Sequence, residues 1–365
     1  MKSRHLAQLL IYILAVLLVP LLLNHWLPQK RPFNPKPLER LQAERPAIVL
    51  IGDSLVHAAI DPPLLEKELG DGRVEMIWRG GAASAAWYLS LKNYVVASGV
   101  KPRWVCIFFN YDLLTNAAFR TTATYRAFLE SLMHGDDPVF HEVLGDESAR
   151  RTPLQRIANR LYPLNDRRHH YQERLSRFAF RLESLAGPKI KGLPRRVNEI
   201  FDVARLRQET LPQTPEAVAA RSLVFSADPR ENFLPHIVAT ARDAGIPLCF
   251  VRVRPNPGPD NVFEESAELR AYVGELRSWI EAQGCAFIDT TANQRFTPDM
   301  YLRPDDDHIG PWAKERATKI YADELRPLLE GRGQRPRLQL DGRGQRPRIR
   351  LEGRGQRPRL QGEAR

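Results

Sequence analysis

The chain has 365 residues, 43% of them hydrophobic and 27% charged, which is typical of a globular protein and sufficient for a sizeable core. Its net charge of +11 is concentrated at the carboxyl end, where residues 331–365 hold eleven arginines and three acidic residues. The other residues carry only about +3 in total, so the composition argues against a nucleic-acid-binding body.

The amino-terminal part of the chain contains an uncharged, leucine-rich run from Leu6 to Leu23. Eighteen such residues are close to the minimum for a membrane span and exceed the core of a usual signal peptide. No small-x-small cleavage site follows, so the sequence predicts a transmembrane signal anchor over residues 6–27 and a Pro-, Lys- and Arg-rich linker over residues 28–45. A cleaved secretory signal is the alternative.

Short apolar runs in the region from 46 to 330 predict buried strands, with helical patterns between them. Cys106, Cys249 and Cys285 each stand in such a run and are expected to be small buried side chains, not disulfide partners. The alternation of strands and helices predicts an α/β domain with a mostly parallel sheet flanked by helices. The predicted strands are 46–51, 73–78, 104–109, 247–253 and 285–289.

Residues with known preferences for helix ends divide these patterns. Asp61 with Pro62 is expected to begin a helix that Gly70 ends, and Asp228 is expected to cap a helix that stops at Gly245. A further helix is predicted from Gly310 to about residue 329.

Two segments depart from this rhythm. Residues from about 114 to 227 are too long for one crossover connection, and their pattern predicts a helical insertion beside the sheet. Residues 331–365 contain an 11-residue repeat that begins at Gly331, Gly342 and Gly353, and its low apolar content predicts disorder.

A candidate nucleophile follows the first predicted strand. Ser54 stands in the sequence Gly-Asp-Ser-Leu, before a helix-like segment. Ligands of open α/β sheets bind beyond the carboxyl ends of the strands, where this hydroxyl would lie. Gly-Asp-Ser is also common in turns, so on its own it is equally compatible with a helix cap.

A candidate base stands near the end of the folded region, where Asp305, Asp306 and Asp307 precede His308. A serine hydroxyl needs an adjacent base to accept its proton, and a carboxylate on the other ring nitrogen fixes the tautomer of that base. Asp305, three residues before His308, is the predicted carboxylate partner. His57 is a rival base without an evident carboxylate partner.

Two further strand ends carry candidate oxyanion donors. Gly80 and Gly81 follow the second predicted strand, and either could expose a backbone N–H. Asn110 follows the third strand and places an amide side chain at its end. We expect no metal and no cofactor.

Together these residues resemble the SGNH/GDSL hydrolase family, whose blocks are Gly-Asp-Ser, a glycine, an asparagine and Asp-x-x-His. The resemblance spans residues 46–330 without much of the insertion, and it implies a three-layer, flavodoxin-like fold. It also implies that Ser54 is the nucleophile, His308 the general base and Asp305 its orienting acid, with Gly81 and Asn110 in the oxyanion hole. The second block lacks the usual Asn-x-Gly, and the third has Phe-Asn-Tyr-Asp in place of Gly-x-Asn-Asp.

The layout is similar in style to membrane-anchored bacterial proteins of polymer O-acylation, such as alginate acetylation proteins and the teichoic-acid D-alanylation protein. This resemblance implies a serine esterase or acyltransferase that acts on acyl esters, in the first place acetyl esters, of a glycan outside the cytoplasmic membrane. It also implies a membrane O-acyltransferase as a partner, and no nucleic-acid partner is expected. The alternative is a non-catalytic scaffold or glycan-binding partner of such an acyltransferase.

Overall fold

The computed structural model describes residues 33–70, 72–121, 123–144 and 223–331, together with the helical positions 11, 12, 14 and 18. Most of the predicted anchor and of the predicted insertion, and residues 332–365 of the predicted disordered tail, lie outside these ranges. Within the described ranges, no helix is both long and apolar enough to cross a membrane.

The centre of the structure is a five-stranded parallel sheet with the strand order β2-β1-β3-β4-β5. All five predicted strands form, and their bounds differ from the predicted ones by at most two residues. Parallel strands covered on both faces are continuous apolar runs, and this explains why the sequence locates them so well. The strands are β1 (Ile48–Gly52), β2 (Val74–Trp78), β3 (Trp104–Phe109), β4 (Leu248–Arg252) and β5 (Ala286–Asp289).

Helices connect these strands and cover both faces of the sheet, which confirms the predicted α/β architecture. They are α1 (Lys36–Glu44), α2 (Ser54–Ala59), α3 (Pro62–Leu69), α4 (Ser84–Ser90), α5 (Ala123–Leu132), α6 (Pro138–Leu144), α7 (Leu234–Asp243), α8 (Ala267–Ala282) and α9 (Lys314–Leu329). A π-helical turn, Leu91–Val96, continues α4, and short 3-10 turns span Pro298–Met300 and Pro311–Ala313.

Alternate residues of the strands enter two separate cores. Val49 and Ile51 of β1 pack in one core with residues of α4, α7 and α8. Ile48 and Leu50 of the same strand face the other core, which α2, α3 and α9 complete. Side chains of a strand alternate between its two faces, so β1 anchors both layers and holds its carboxyl end rigidly.

The cysteines behave as apolar side chains. Cys106 and Cys249 are buried in the sheet, Cys285 is half-buried, and all three are free thiols. Burial raises the pKa of the Cys249 thiol well above its usual value, and a hydrogen bond with Cys106 adds to the shift. The Cys249 thiol therefore stays protonated in the folded chain.

The predicted helix ends are confirmed in one case and wrong in another. The side chain of Asp61 accepts from the backbone N–H of Leu64, and Gly70 ends α3 with φ of 66°. Asp228 caps no helix, because its carboxylate accepts from the backbone and side chain of Arg230 and closes a local turn. The helix begins later, at Leu234.

Part of the predicted linker is folded. Residues 36–44 form α1, and Leu41 is buried against the core that contains Tyr94. Pro37 stands in the first helical turn, where a missing N–H costs nothing. A proline-rich composition therefore concealed a short amphipathic helix.

Candidate active site

Ser54 is the first residue of α2, and its hydroxyl lies at the carboxyl end of β1. Its Oγ atom is 2.8 Å from Nε2 of His308, although 254 positions separate the two residues in the chain. Gly52 makes this approach possible, because a Cβ atom there would lie 2.5 Å from Cγ1 of Val56. A tight strand-to-helix turn thus presents the hydroxyl at the edge of the sheet.

His308 is held by the short loop that precedes α9. Tyr301 and Ile309 form an antiparallel bridge across this loop. The backbone N–H of Leu302 donates to the carbonyl of His308 at 2.8 Å, and that of Gly310 donates to Met300 at 2.7 Å. The imidazole therefore stands on a backbone that is fixed on both sides.

The carboxylate that holds the imidazole belongs to Asp306, not to the predicted Asp305. Oδ1 of Asp306 lies 2.6 Å from Nδ1 of His308 and 3.0 Å from its backbone N. An aspartate readily accepts from the N–H two residues further along the chain, and this local turn brings the carboxylate to the ring. Asp305 is exposed to solvent.

Asp306 also determines the tautomer of His308. An ionised carboxylate can only accept, so Nδ1 carries the ring proton and Nε2 is free to accept from the Ser54 hydroxyl. Burial raises the pKa of Asp306, but the hydrogen bonds from the backbone and ring of His308 outweigh it, and the pKa lies below its usual value. The acid is therefore ionised at neutral pH, as an orienting carboxylate must be.

Asp307, the third aspartate of this run, has a structural role. It accepts from the backbone N–H of Asn256 at 2.9 Å and from the hydroxyl of Tyr111 at 3.3 Å. Burial raises the pKa of its carboxyl. Asp307 thus ties the His308 loop to the loops that follow β3 and β4.

Asp53 caps the helix that Ser54 begins. Its Oδ1 accepts from the backbone N–H of Leu55 at 2.8 Å. Burial raises the pKa of this carboxyl to about 6, against the opposing effects of that hydrogen bond and of the positive charges of His308 and Arg120. A second acidic group therefore titrates close to the candidate nucleophile.

The two predicted oxyanion donors lie at the ends of the strands on either side of β1. Gly81 follows β2 with φ of 76°, a backbone region that favours glycine. Asn110 follows β3, is 5% exposed, and its Oδ1 has no hydrogen-bond partner among the described residues. The sheet order thus brings Gly81, Ser54 and Asn110 to one edge, while Gly80 has no neighbour within 4 Å of an added Cβ.

The rival base His57 is engaged elsewhere. Its ring stacks on Trp78 with the centroids 3.6 Å apart and the planes 7° from parallel. Burial lowers the pKa of this imidazole, and the charge of Lys314 lowers it further. Trp78, at the end of β2, is 41% exposed, so the pair forms an aromatic surface next to the Ser54 turn.

Three residues of this region escaped the sequence analysis as functional candidates: Asp306, Trp78 and Arg120. Arg120 follows β3 in a loop and stands against Gly81, where an added Cβ would lie 2.3 Å from its Nη1 atom. The Asp-x-His spacing was visible in the sequence, whereas a loop arginine and a strand-end tryptophan carried no distinguishing pattern. Within the described ranges, no group of three or more His, Cys, Asp and Glu side chains is suited to hold a metal ion.

A groove with a volume of about 350 Å³ lies at the amino-terminal ends of the strands, away from Ser54. Trp104 and Leu248, which line it, are the first residues of β3 and β4. Ser54 lies beyond the opposite, carboxyl ends of the strands. The groove therefore does not take part in the site.

Comparison with known proteins finds likenesses among solved structures only. No family model matches the chain, and no curated protein matches it. Among solved structures, it is similar to a GDSL-like lipase from Bacteroides thetaiotaomicron VPI-5482, with 10% identity, a TM-score of 0.35, and coverage of 82% of this chain and 98% of that one. It is also similar to a gut microbial diltiazem-metabolizing enzyme, with 10% identity, a TM-score of 0.30, and coverage of 79% and 47%. Because both scores are below 0.5, neither likeness supports a functional statement.

Proposed function

We propose that the protein is a serine esterase or acyltransferase of the SGNH/GDSL type, with Ser54, His308 and Asp306 as its triad. One observation carries the proposal: a continuous hydrogen-bonded chain runs from the Ser54 hydroxyl through both ring nitrogens of His308 to the Asp306 carboxylate. This arrangement supplies a nucleophile, a base in the required tautomer and an ionised orienting acid.

Ser54 Oγ attacks the ester carbonyl carbon while His308 Nε2 takes the hydroxyl proton. The carbonyl oxygen becomes an oxyanion between the strand-end groups Gly81 and Asn110. The alcohol then leaves with the proton of His308, and an acyl-serine remains. Water or an acceptor hydroxyl, deprotonated by His308, attacks the acyl-serine and restores Ser54.

The acyl acceptor decides between hydrolysis and transfer, and the proposed substrate is an acyl, most simply acetyl, ester of a glycan. The stacked rings of His57 and Trp78 support a sugar substrate, because an exposed aromatic surface beside the nucleophile suits the apolar face of a sugar ring. When one face of the sugar ring packs on this aromatic surface, the sugar hydroxyls stay free to reach the acyl-serine.

The cellular location of the protein is part of the same proposal. The leucine-rich segment 6–27 supports a single-pass anchor in the bacterial cytoplasmic membrane, with the α/β domain in the periplasm or outside the cell. A membrane O-acyltransferase is the proposed partner, since a glycan acylated outside the cytoplasm needs an acyl donor from across the membrane.

Ester hydrolysis by the full-length chain in detergent tests the catalytic proposal. With p-nitrophenyl acetate, the wild type is expected to show turnover or a burst of p-nitrophenol, and Ser54→Ala is expected to show neither. Ser278→Ala is the matched control, because the hydroxyl of this exposed serine donates to the carbonyl of Gly274 in its own helix, α8. Activity that survives Ser54→Ala would overturn the assignment of the nucleophile.

A further inference from the structure

Arg120 occupies an unusual position beside the candidate oxyanion donor Gly81. Its Nη1 atom fills the space that a side chain at position 81 would take, since an added Cβ would lie only 2.3 Å away. The ring of Tyr125 lies against the same glycine, 2.9 Å from that Cβ position. A guanidinium group therefore borders the space in which the ester must lie.

The guanidinium of Arg120 is held by aromatic rings and not by acids. Its central carbon lies 4.8 Å from the ring centroid of Phe119 and 5.3 Å from that of Tyr125. Among the described residues, it forms no ion pair, and its buried Nε atom has no hydrogen-bond partner. Arginine donors in rigid fork geometry are suited to a carboxylate or a phosphate.

The backbone at this position is strained. Arg120 has φ of 54°, a left-handed conformation that costs a non-glycine residue free energy. Residues with such strained backbone conformations are concentrated at ligand sites, where the surrounding structure fixes them. A loop that only connected β3 to α5 would favour glycine or asparagine at this position.

Among the described residues, the acids around the nucleophile form no ion pair with Arg120. Asp306 is engaged with His308. Asp53 caps α2 by accepting from Leu55, although it lies close enough for the charge of Arg120 to oppose the rise in its pKa that burial causes. Lys314, at the start of α9, lies close enough to His57 to disfavour its protonation. Two cationic groups thus act on residues of the Ser54 turn: Arg120 on Asp53 and Lys314 on His57.

We infer that Arg120 binds an anionic group of the substrate, a carboxylate or a phosphate, next to the scissile ester. This inference rests on the proposed function and adds a substrate class to it: the enzyme prefers esters that carry a negative charge near the acyl group. Phe119 and Tyr125 hold the guanidinium in place, and Gly81 leaves the room for it.

Matched esters test this preference in the full-length protein. The ratio of kcat/KM for mono-p-nitrophenyl succinate to that for p-nitrophenyl butyrate reports the charge preference, because the two acyl chains have the same length. Arg120→Asn removes the charge with a residue that tolerates positive φ, and Arg120→Lys keeps the charge. Arg277→Gln, on the exposed face of α8, is the control.

We expect Arg120→Asn to lower the succinate-to-butyrate ratio by about 10- to 100-fold, the scale of one charged hydrogen-bonded contact. Arg120→Lys should retain much of the ratio, and Arg277→Gln should leave it at the wild-type value. An equal fall for both esters, or an unchanged ratio, in a correctly folded Arg120→Asn would overturn the inference.

A binding measurement separates this inference from the proposed function. Titration calorimetry of the Ser54→Ala protein with succinate and with inorganic phosphate measures the anion site without turnover. Binding that is lost on adding Arg120→Asn supports the site even when no ester is hydrolysed, and it shows which anion is preferred. Absence of binding of both anions, together with an unchanged ester ratio, would refute it.

Discussion

Oδ1 of Asp306 accepts from both the ring and the backbone of His308, at 2.6 and 3.0 Å. One carboxylate oxygen thus fixes the position of the residue and the orientation of its imidazole. Because the backbone contact is local, the ring is held before any substrate arrives. This relationship makes Asp306 the acid of the proposed triad.

Asp306→Asn should lower kcat of ester hydrolysis by about 10²- to 10⁴-fold, because an amide can donate to Nδ1 and favour the wrong tautomer. Asp305→Asn should change kcat less than twofold, since Asp305 is exposed and lies outside the hydrogen-bonded chain. Steady-state kinetics of the two variants decide between adjacent aspartates. A larger loss in Asp305→Asn than in Asp306→Asn would contradict the assignment.

Asp53 should make the stability of the protein fall as the pH rises from about 4 to 6. The pKa of Asp53 is about 6 in the folded chain, whereas the ordinary value of 3.8 applies to the unfolded chain. As the pH rises, the unfolded chain therefore loses this proton first. The ionised carboxylate then costs the folded state about 3 kcal/mol above pH 6, and nothing below pH 4. Asp53→Asn keeps an acceptor for Leu55 and should be more stable than the wild type above pH 6.

Urea unfolding at several pH values measures this difference. Asp299→Asn is a control of opposite sign, because hydrogen bonds from Thr297 and Arg316 hold the pKa of Asp299 below its usual value. That variant should be less stable than the wild type at neutral pH, and the deficit should vanish in acid. A stability difference for Asp53→Asn that does not change with pH would show that Asp53 is not a strained acid.

The sequence located the sheet and the turn that holds the candidate nucleophile, because both depend on local pattern. Buried parallel strands are unbroken apolar runs, and the Ser54 turn directly follows the first of them. The correction from Asp305 to Asp306 depends on the conformation of one loop, in which the carboxylate reaches the ring from two residues before His308 and not from three. The register of an acidic run cannot be inferred from its composition.

Long-range placement was beyond the sequence for a different reason. Arg120 stands by Gly81 because the loop after β3 folds back over the end of β2, and no pattern of residues encodes that path. Trp78 was recognised only as a strand residue, although its stacking on His57 turns the end of β2 into a surface. These contacts are tertiary, so only the folded chain reveals them.

Asn110→Ala should lower kcat by about 10²- to 10³-fold with little change in KM, as removal of one oxyanion donor does. The proposed role of the Asn110 amide is to donate to a charge that develops during the reaction, so the loss should be specific to the transition state. Asn116→Ala is the control in the same loop, where Nδ2 donates to Asp112 at 3.0 Å. Equal kinetic losses in the two variants would show a general loop effect.

Gly81→Ala should damage activity out of proportion to stability. Gly81 and Gly99 have φ of 76° and 71°, so alanine at either position should cost about 1–2 kcal/mol of unfolding free energy. Only at position 81 does the new methyl group meet the Arg120 guanidinium and the Tyr125 ring. Chemical denaturation should therefore give a loss for Gly81→Ala at least as large as that for Gly99→Ala, while kcat/KM falls at least tenfold in Gly81→Ala alone. Similar kinetics for both variants would place Gly81 outside the site.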